Sequence, residues 1–329
     1  MLSHREKILV YIQKREQATV VDLENAFDIE KQIMFQHLKS LIEEGLIQEI
    51  GLAPRIIYVP LQEREGNVSI GDIENISERE REIIEENFLL ITPGGNRLEG
   101  VMGFSKWSQY QEYSFSQKAK EYADMYEKHE ELKHYGFIEG IEKFHQTFGA
   151  TPSLDAVFYK DFYTWEIFGK TKLGQLLFYA KQSQDKHIIR EIIQIVAESS
   201  LYKILQEYFV DAVCFIPPTV RRTVQLMDEL KKELALPLPE IRIQKITGPI
   251  RVPQKTLSKL EDRLLNARTS FFVSERRLFH TVLLIDDALG SGATFFEVAK
   301  KLKKQGIAKK VIGLAITGSL KEFDVIREI

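Results

Sequence analysis

The stretch VLLIDDALGSGAT, residues 282–294, constrains this chain more than any other. Four apolar residues, Val282 to Ile285, are too few for a helix and read as a buried strand, while Phe295 to Gln305 alternates apolar and basic residues at helical spacing. The glycine-rich turn between them therefore joins a strand to a helix. Backbone N–H groups of Gly290, Ser291, Gly292 and Ala293 would lie at the helix N-terminus, where unpaired donors and the helix dipole favour a phosphate. Ser291 and Thr294 can add hydroxyl donors. Asp286 and Asp287 would repel that phosphate, but carboxylates accept hydrogen bonds from ribose hydroxyls and can reach a hydrated magnesium ion.

Two commoner phosphate motifs fail on the same residues. A Walker A loop needs a lysine before its Ser or Thr, and a Rossmann fingerprint needs a third glycine where Phe295 stands. The pattern resembles the phosphoribosyl pyrophosphate (PRPP) motif of type I phosphoribosyltransferases, a buried strand, an acidic pair and a TTGAT-like loop. Gly290 and Ser291 replace the usual threonines. The resemblance implies that Leu289 to Thr294 hold the 5-phosphate, and that Asp286 and Asp287 hold the ribose and, through water, magnesium.

The 329 residues suffice for two or three domains. A composition of 44% hydrophobic and 28% charged residues fits a soluble globular protein. No segment approaches a membrane span of roughly 18 apolar residues, and the first 15 residues lack a signal-peptide core, so the expectation is a cytoplasmic protein with no membrane partner. The lone Cys214 lies in an apolar run and is expected in a core, and the scattered histidines give no zinc spacing. The net charge of −3 hides an asymmetry: Val220 to His280 carries thirteen Lys or Arg against seven Asp or Glu, which suits a polyanionic partner.

Residues 1–62 form the first expected domain. Helices are predicted after Ser3, with Ile8, Leu9 and Ile12; after Thr19, with Leu23 and Phe27; and over Glu30 to Glu44, with Ile33, Met34, Leu38, Leu41 and Ile42 on one face. Leu46 to Ile50 and Ile56 to Val59 read as a β-hairpin. This order resembles a winged helix-turn-helix domain, whose third helix enters the DNA major groove. The resemblance makes Lys31, Gln32, Gln36, His37 and Lys39, with Arg55 on the wing, the candidate DNA contacts. Seven basic against nine acidic residues in the first sixty leave docking to a protein as the open alternative.

Residues 63–150 read as a charged connection followed by a mostly helical middle region. A helix starts at Ser77, Phe88 to Ile91 is strand-like, and Phe104 to Phe148 is rich in aromatics. Phe115, Tyr122 and Tyr126 recur at helical intervals, as in a buried stripe or a dimer face; stacking of nucleobases is the alternative.

Residues 151–329 alternate strands and helices. Ala156 to Tyr159, Asp211 to Ile216, Ile241 to Ile246, Val282 to Ile285 and Val311 to Ile316 read as extended, and Leu173 to Ala180 and Ile188 to Tyr208 as helices. The fold class is therefore α/β, a parallel sheet that binds ligands beyond the carboxyl ends of its strands, preceded by the winged helix and the helical region. The segment IPPTVRR looks like the pyrophosphate loop of the phosphoribosyltransferases, which adds Pro218, Thr219, Arg221 and Arg222 to the site. Gln254, Leu257, Arg263 and Asn266 are similar to a pattern of the ComF-type competence proteins, a phosphoribosyltransferase-like branch. That similarity makes Lys245 to Asn266 a mobile loop closing over pyrophosphate with Arg251 or Lys255.

The resemblance implies three functions. One is a phosphoribosyltransferase of nucleotide metabolism, using PRPP and magnesium on an unidentified nucleotide or nucleic-acid acceptor. The second is a non-catalytic regulator whose DNA binding responds to PRPP or a nucleotide, with a homodimer as a candidate assembly. The third is a ComF-like factor binding single-stranded DNA in uptake, repair or defence. Purine-salvage members carry an aspartate where Gly290 stands, so 6-oxopurine salvage is disfavoured.

Overall fold

The computed structural model describes the chain except residues 1–2, 16, 28, 45, 51–55, 61–74, 93–95, 150–152, 198, 219, 221, 247–259 and 320–329. The chain divides into two compact units, 1–126 and 127–329. The boundary falls inside the stretch that the sequence presents as one middle region.

The first unit opens with α1 (His4–Arg15), β1 (Ala18–Thr19), α2 (Val20–Ala26), α3 (Lys31–Glu43), β2 (Ile47–Ile50) and β3 (Ile57–Pro60). The β2–β3 hairpin is antiparallel, and β1 adds to its β3 edge. Thr19 caps α2 in a reciprocal box with Asp22, satisfying backbone N–H groups that a helix start leaves orphaned. Ile8, Ile12, Leu23, Met34, Leu38, Leu41, Ile47 and Tyr58 make one buried core. Ile33 departs from the predicted core face: it is 41% exposed, since Met34, Leu38 and Leu41 already fill the inward stripe.

The rest of this unit comprises α4 (Glu78–Asn87), β4 (Leu89–Ile91), β5 (Arg97–Glu99), α5 (Gly100–Tyr110) and α6 (Phe115–Glu130), the last running across the boundary. Ser77 and Glu80 form a second capping box at the predicted start of α4. Phe104, Trp107, Phe115 and Tyr122 are buried, and the rings of Phe104, Trp107 and Tyr122 surround Phe88, mostly edge to face. The Tyr122 hydroxyl donates to the Asn87 carbonyl. These rings form a core, which removes them from any stacking surface.

The second unit is built on a six-stranded sheet of order β11-β14-β15-β8-β7-β6. Its elements are β6 (Lys133–His134), β7 (Phe137–Glu139), α7 (Ile141–Phe148), β8 (Ala156–Phe162), β9 (Thr164–Trp165), β10 (Gly169–Lys170), α8 (Lys172–Ser183), α9 (Lys186–Val196), α10 (Ser199–Glu207), β11 (Ala212–Phe215), α11 (Leu226–Leu234), β12 (Ile243–Lys245), α12 (Leu260–Ser270), β13 (Phe271–Val273), β14 (Phe279–Leu289), α13 (Ala293–Lys304) and β15 (Ala308–Gly318). Strands β11, β14, β15 and β8 are mutually parallel, and β7 and β6 extend the sheet antiparallel. Among the described residues no helix is long and apolar enough to cross a membrane.

Four sequence expectations change. The supposed helical region is interrupted, before α7, by the β6–β7 hairpin, whose turn residues Tyr135 and Gly136 have φ of 51° and 71°, the left-handed pair of a two-residue hairpin loop. The stretch from Ile188 to Tyr208 is two helices, α9 and α10. Residues 243–245 pair antiparallel with β13 outside the parallel sheet, and only an isolated parallel bridge from Glu240 to Val213 joins the preceding residues to the β11 edge. The last part of the supposed mobile loop is helical, in α12; Arg251, Gln254, Lys255 and Leu257 lie outside the described residues.

One junction fixes α8 against the sheet. The Thr171 hydroxyl donates to the Phe162 carbonyl at 2.6 Å and accepts from Gly174 N–H at 3.0 Å. Gly174 lets the helix approach: a Cβ there would lie 2.1 Å from the Tyr163 carbonyl oxygen. Replacing it forces backbone to move. Gly174→Ala is expected to destabilise the second unit by about 1–3 kcal/mol, the usual cost of overpacking, read as a lowered melting temperature; an unchanged transition would show that α8 is not held this way.

Candidate functional site

The body of β14 is apolar because both its faces are covered: Val282, Leu283, Leu284 and Ile285 are at most 1% exposed. The strand does not stop at Ile285, as the sequence suggests, but runs through the acidic pair to Leu289. Asp286 and Ala288 stay in register with Ala315 and Thr317 of β15. On the other side the neighbour ends. Ile216 N–H donates to the Ile285 carbonyl at 2.8 Å, and then Pro217 and Pro218, which have no N–H to give, close β11. The acidic pair thus stands on a strand whose β11 side has just become free.

A cavity of about 220 Å³ opens at that point, beyond the carboxyl ends of the parallel strands. Asp286, Asp287 and the turn Gly290 to Thr294 line it, with Pro218 on the wall. The turn ends at Gly292, the N-cap of α13, with φ 72° and no side-chain cap. A Cβ at Gly292 would meet the Phe148 ring at 2.9 Å, so conformation and space both call for glycine. Ala293, Thr294 and Phe295, the first residues of α13, line the cavity; Gly292 offers no cap, and Ala293 N–H makes only a long contact of 3.5 Å to Ser291 Oγ, so the helix start suits an anion.

Three cations answer the carboxylates. Lys181, from the last turn of α8, places its Nζ 3.1 Å from Asp287 Oδ2. Lys245 of β12 and Arg263 of α12 also line the cavity, and Arg263 is only 4% exposed. Tyr163, Leu177, Phe178 and Phe271 supply apolar wall. The sequence singles out neither Lys181 nor these walls. It names Lys245 and Arg263 only within a supposed loop.

Asp286 keeps some accessible surface towards the cavity, while protein surrounds its remaining sides. Burial first, and the Asp287 charge second, raise its pKa well above the usual carboxylate range, against the Asp287 N–H, which donates to Asp286 Oδ1 at 2.8 Å, and the charges of Lys181 and Lys245. Burial lowers the pKa of Lys245, and both aspartates oppose that shift. Cys214 is fully buried in β11, and burial pushes its thiol up, which leaves it inert.

The remaining predicted residues are placed differently. Leu289 is buried, its side chain beside Gly140 rather than in this cavity. Arg222 is half-buried and is not part of the cavity wall. Thr219, Arg221, Lys255 and Arg55 lie outside the described residues. On α3, Lys31, Gln32, Gln36 and Lys39 are exposed and His37 is half-buried. Lys31 pairs with Glu24 at 3.2 Å and Lys39 with Glu43 at 3.7 Å, so both are partly neutralised within the unit.

Magnesium fits the donor set in one way. Among the described residues no group of three or more His, Cys, Asp or Glu could hold a metal ion. Asp286 and Asp287 suit a hydrated ion that takes its other oxygens from water and from a ligand's phosphates.

Neither a protein-family profile nor a curated protein sequence matches the chain. Part of it is similar to solved structures of phosphoribosyltransferases. These include adenine phosphoribosyltransferase from Thermoanaerobacter pseudethanolicus (19% identity, TM-score 0.24, 40% of this chain and 69% of that one). Another is adenine phosphoribosyltransferase from Saccharomyces cerevisiae (12%, TM-score 0.25, 42% and 71%). A third is purine phosphoribosyltransferase from Pyrococcus horikoshii (17%, TM-score 0.23, 44% and 96%).

The raised pKa of Asp286 sets a pH dependence. The folded chain holds this proton more tightly than the unfolded chain, so the contribution is favourable below about pH 3.9, the ordinary aspartate value, and is lost as pH climbs towards the raised value. Asp286→Asn is expected to be more stable than the parent at pH 8 by at least about 1.4 kcal/mol, one pKa unit, and no more stable at pH 3.5. Thermal melting across that range checks it; an equal gap at both ends would contradict the assignment.

Proposed function

We propose that the second unit is a phosphoribosyltransferase-like unit that binds PRPP with magnesium and transfers phosphoribosyl to an unidentified nucleotide or nucleic-acid acceptor. One observation carries this reading: an acidic pair at the carboxyl end of a central parallel strand shares a cavity with a glycine-capped helix N-terminus and three cations. The three kinds of group suit different parts of one ligand. N–H groups at the start of α13 and the hydroxyls of Ser291 and Thr294 receive the 5-phosphate. Asp286 and Asp287 accept hydrogen bonds from the ribose diol. Lys181, Lys245 and Arg263 face the C1 diphosphate.

In the transfer, a nitrogen of the acceptor forms a bond to C1 while the C1–O bond to diphosphate breaks. The diphosphate leaves with the bonding electrons, and the acceptor's proton passes to solvent. The side chains do no covalent work; they orient ribose and stabilise charge on the leaving oxygen. Asp286 and Asp287, together with oxygens of the ligand, would hold magnesium, which would supply further charge neutralisation. Tyr163, Leu177, Phe178 and Phe271 keep that region dry, which strengthens each charge interaction.

A second reading makes PRPP a signal rather than a substrate. Three helices followed by a hairpin, with β1 added to the sheet, support residues 1–62 as a winged helix-turn-helix domain. Gln32 and Gln36 stand one turn apart on the exposed side of α3, and glutamine amides suit adenine edges. The pairing of Lys31 and Lys39 with glutamates weighs against strong phosphate attraction and keeps protein docking as the competing role.

Calorimetry with PRPP and magnesium, followed by pyrophosphate release across bases, nucleotides and oligonucleotides, separates these readings. The full chain is expected to bind PRPP, and Asp286→Ala and Asp287→Ala to weaken binding at least tenfold, about 1.4 kcal/mol. Undiminished binding in both variants would remove the site. Binding without turnover, together with PRPP-dependent DNA affinity, would replace the enzyme by the regulator.

A further inference from the structure

The Lys181–Asp287 pair occupies an oxygen that the ribose diol needs. Both side chains reach the cavity, at 20% and 30% exposure, and the contact is 3.1 Å. Lys181 is held there from outside the motif, since Thr171 and Gly174 pin the start of α8 to the end of β8. Its position in the last turn of α8 also sets its charge near that helix's unpaired carbonyls, a favourable end for a cation. A ligand whose hydroxyls take Asp287 displaces the ammonium. The side chains of Leu177 and Phe178 beside it offer no counter-charge.

We propose that Lys181 is an exchange cation: it pairs with Asp287 at 3.1 Å and moves to the C1 diphosphate when ribose takes Asp287. The site thereby selects ribose 5-phosphate that carries a C1 diphosphate over ribose 5-phosphate alone. The inference rests on the ribose-phosphate reading of the cavity. Its logic is a difference between two ligands. Either ligand breaks the ion pair on entering, and an ammonium in a partly buried position is costly without a counter-charge. The diphosphate restores one within the reach of a flexible four-carbon stem. Ribose 5-phosphate leaves the ammonium stranded and so meets an uncompensated loss. Both ligands break the pair and only the diphosphate re-pairs the ammonium, so the incomplete ligand is the one left at a disadvantage.

The test compares magnesium-dependent binding of PRPP and of ribose 5-phosphate to the full chain by calorimetry. In Lys181→Met, PRPP affinity is expected to fall at least tenfold, while ribose 5-phosphate binds equally well or several-fold better because Asp287 is no longer occupied. Lys181→Arg, which keeps the charge, retains most of the preference. In Asp287→Asn neither ligand has an ion pair to break, so both lose the ribose contact alike and PRPP keeps its preference through the ammonium. Equal losses for both ligands in Lys181→Met, or no change in either, would make Lys181 a structural partner only and overturn the exchange. The same holds if the preference for PRPP disappears in Asp287→Asn. Failure of the unsubstituted chain to bind either ligand is a different result: it removes the ribose-phosphate site itself, and the exchange with it.

Discussion

Two adjacent carboxylates at the end of a buried strand cannot both carry charge unless cations are brought to them. That electrostatic requirement organises the second unit. Asp286 and Asp287 follow four residues that are almost completely buried, and both line the cavity. The compensating charges come from Lys181 on α8 and Lys245 on β12, and Arg263 on α12 lines the same cavity. Each must be delivered by its own packing. Helix α8 is tied to the end of β8 through Thr171, and β12 is held by its ladder with β13. Thus the helices and the small hairpin around the sheet act as carriers of charge as well as cover for its faces.

The cavity itself arises from backbone rules. β11 and β14 run side by side until Phe215 and Ile285, after which two prolines end one strand while the other continues through the acids. The gap left beside β14 becomes the pocket. At its far side the chain must turn sharply into α13 beneath the Phe148 ring, and only a residue without a Cβ suits both the positive φ and the space at Gly292. Anion-binding N–H groups, paired acids and an opening therefore meet at one end of the sheet because strand termination and turn geometry coincide there.

This pattern also explains what could be read from the sequence. The acidic pair, the glycine turn and the helix after it are local, and spacing alone places them together. The caps at Thr19 and Ser77 are equally local and appear where their side chains predict. Lys181, Lys245 and Arg263 are not legible as a group, because nothing in spacing along the chain says that α8, β12 and α12 converge on β14. The β6–β7 hairpin was hidden for a different reason. Strands of two and three residues are too short to show alternation, and only Gly136 marked the turn, since a tyrosine at φ 51°, as at Tyr135, is not what such a loop ordinarily selects. Ile33 shows a third limit: helical periodicity finds an apolar stripe, but not which of its flanking residues the core has room for.

The charge pattern of the cavity bears on the kind of ligand it can accept. Lys181, Lys245 and Arg263 contribute three formal positive charges, and the start of α13 contributes about half a charge more from its dipole. Asp287 offsets one of these. Asp286 offsets less than its formal charge suggests, because burial and its neighbour favour its protonated form. The cavity wall thus holds more basic than acidic side chains, although burial also lowers the pKa of Lys245, while the chain as a whole carries −3. A single phosphate at the helix terminus would leave most of that excess unanswered, and at separations of a few ångströms in a half-dry site an unanswered charge is expensive. A ligand with anions at both ends and hydroxyls between them answers the cations, the dipole and the carboxylates together, and this is the chemistry of a ribose phosphate that also bears a diphosphate.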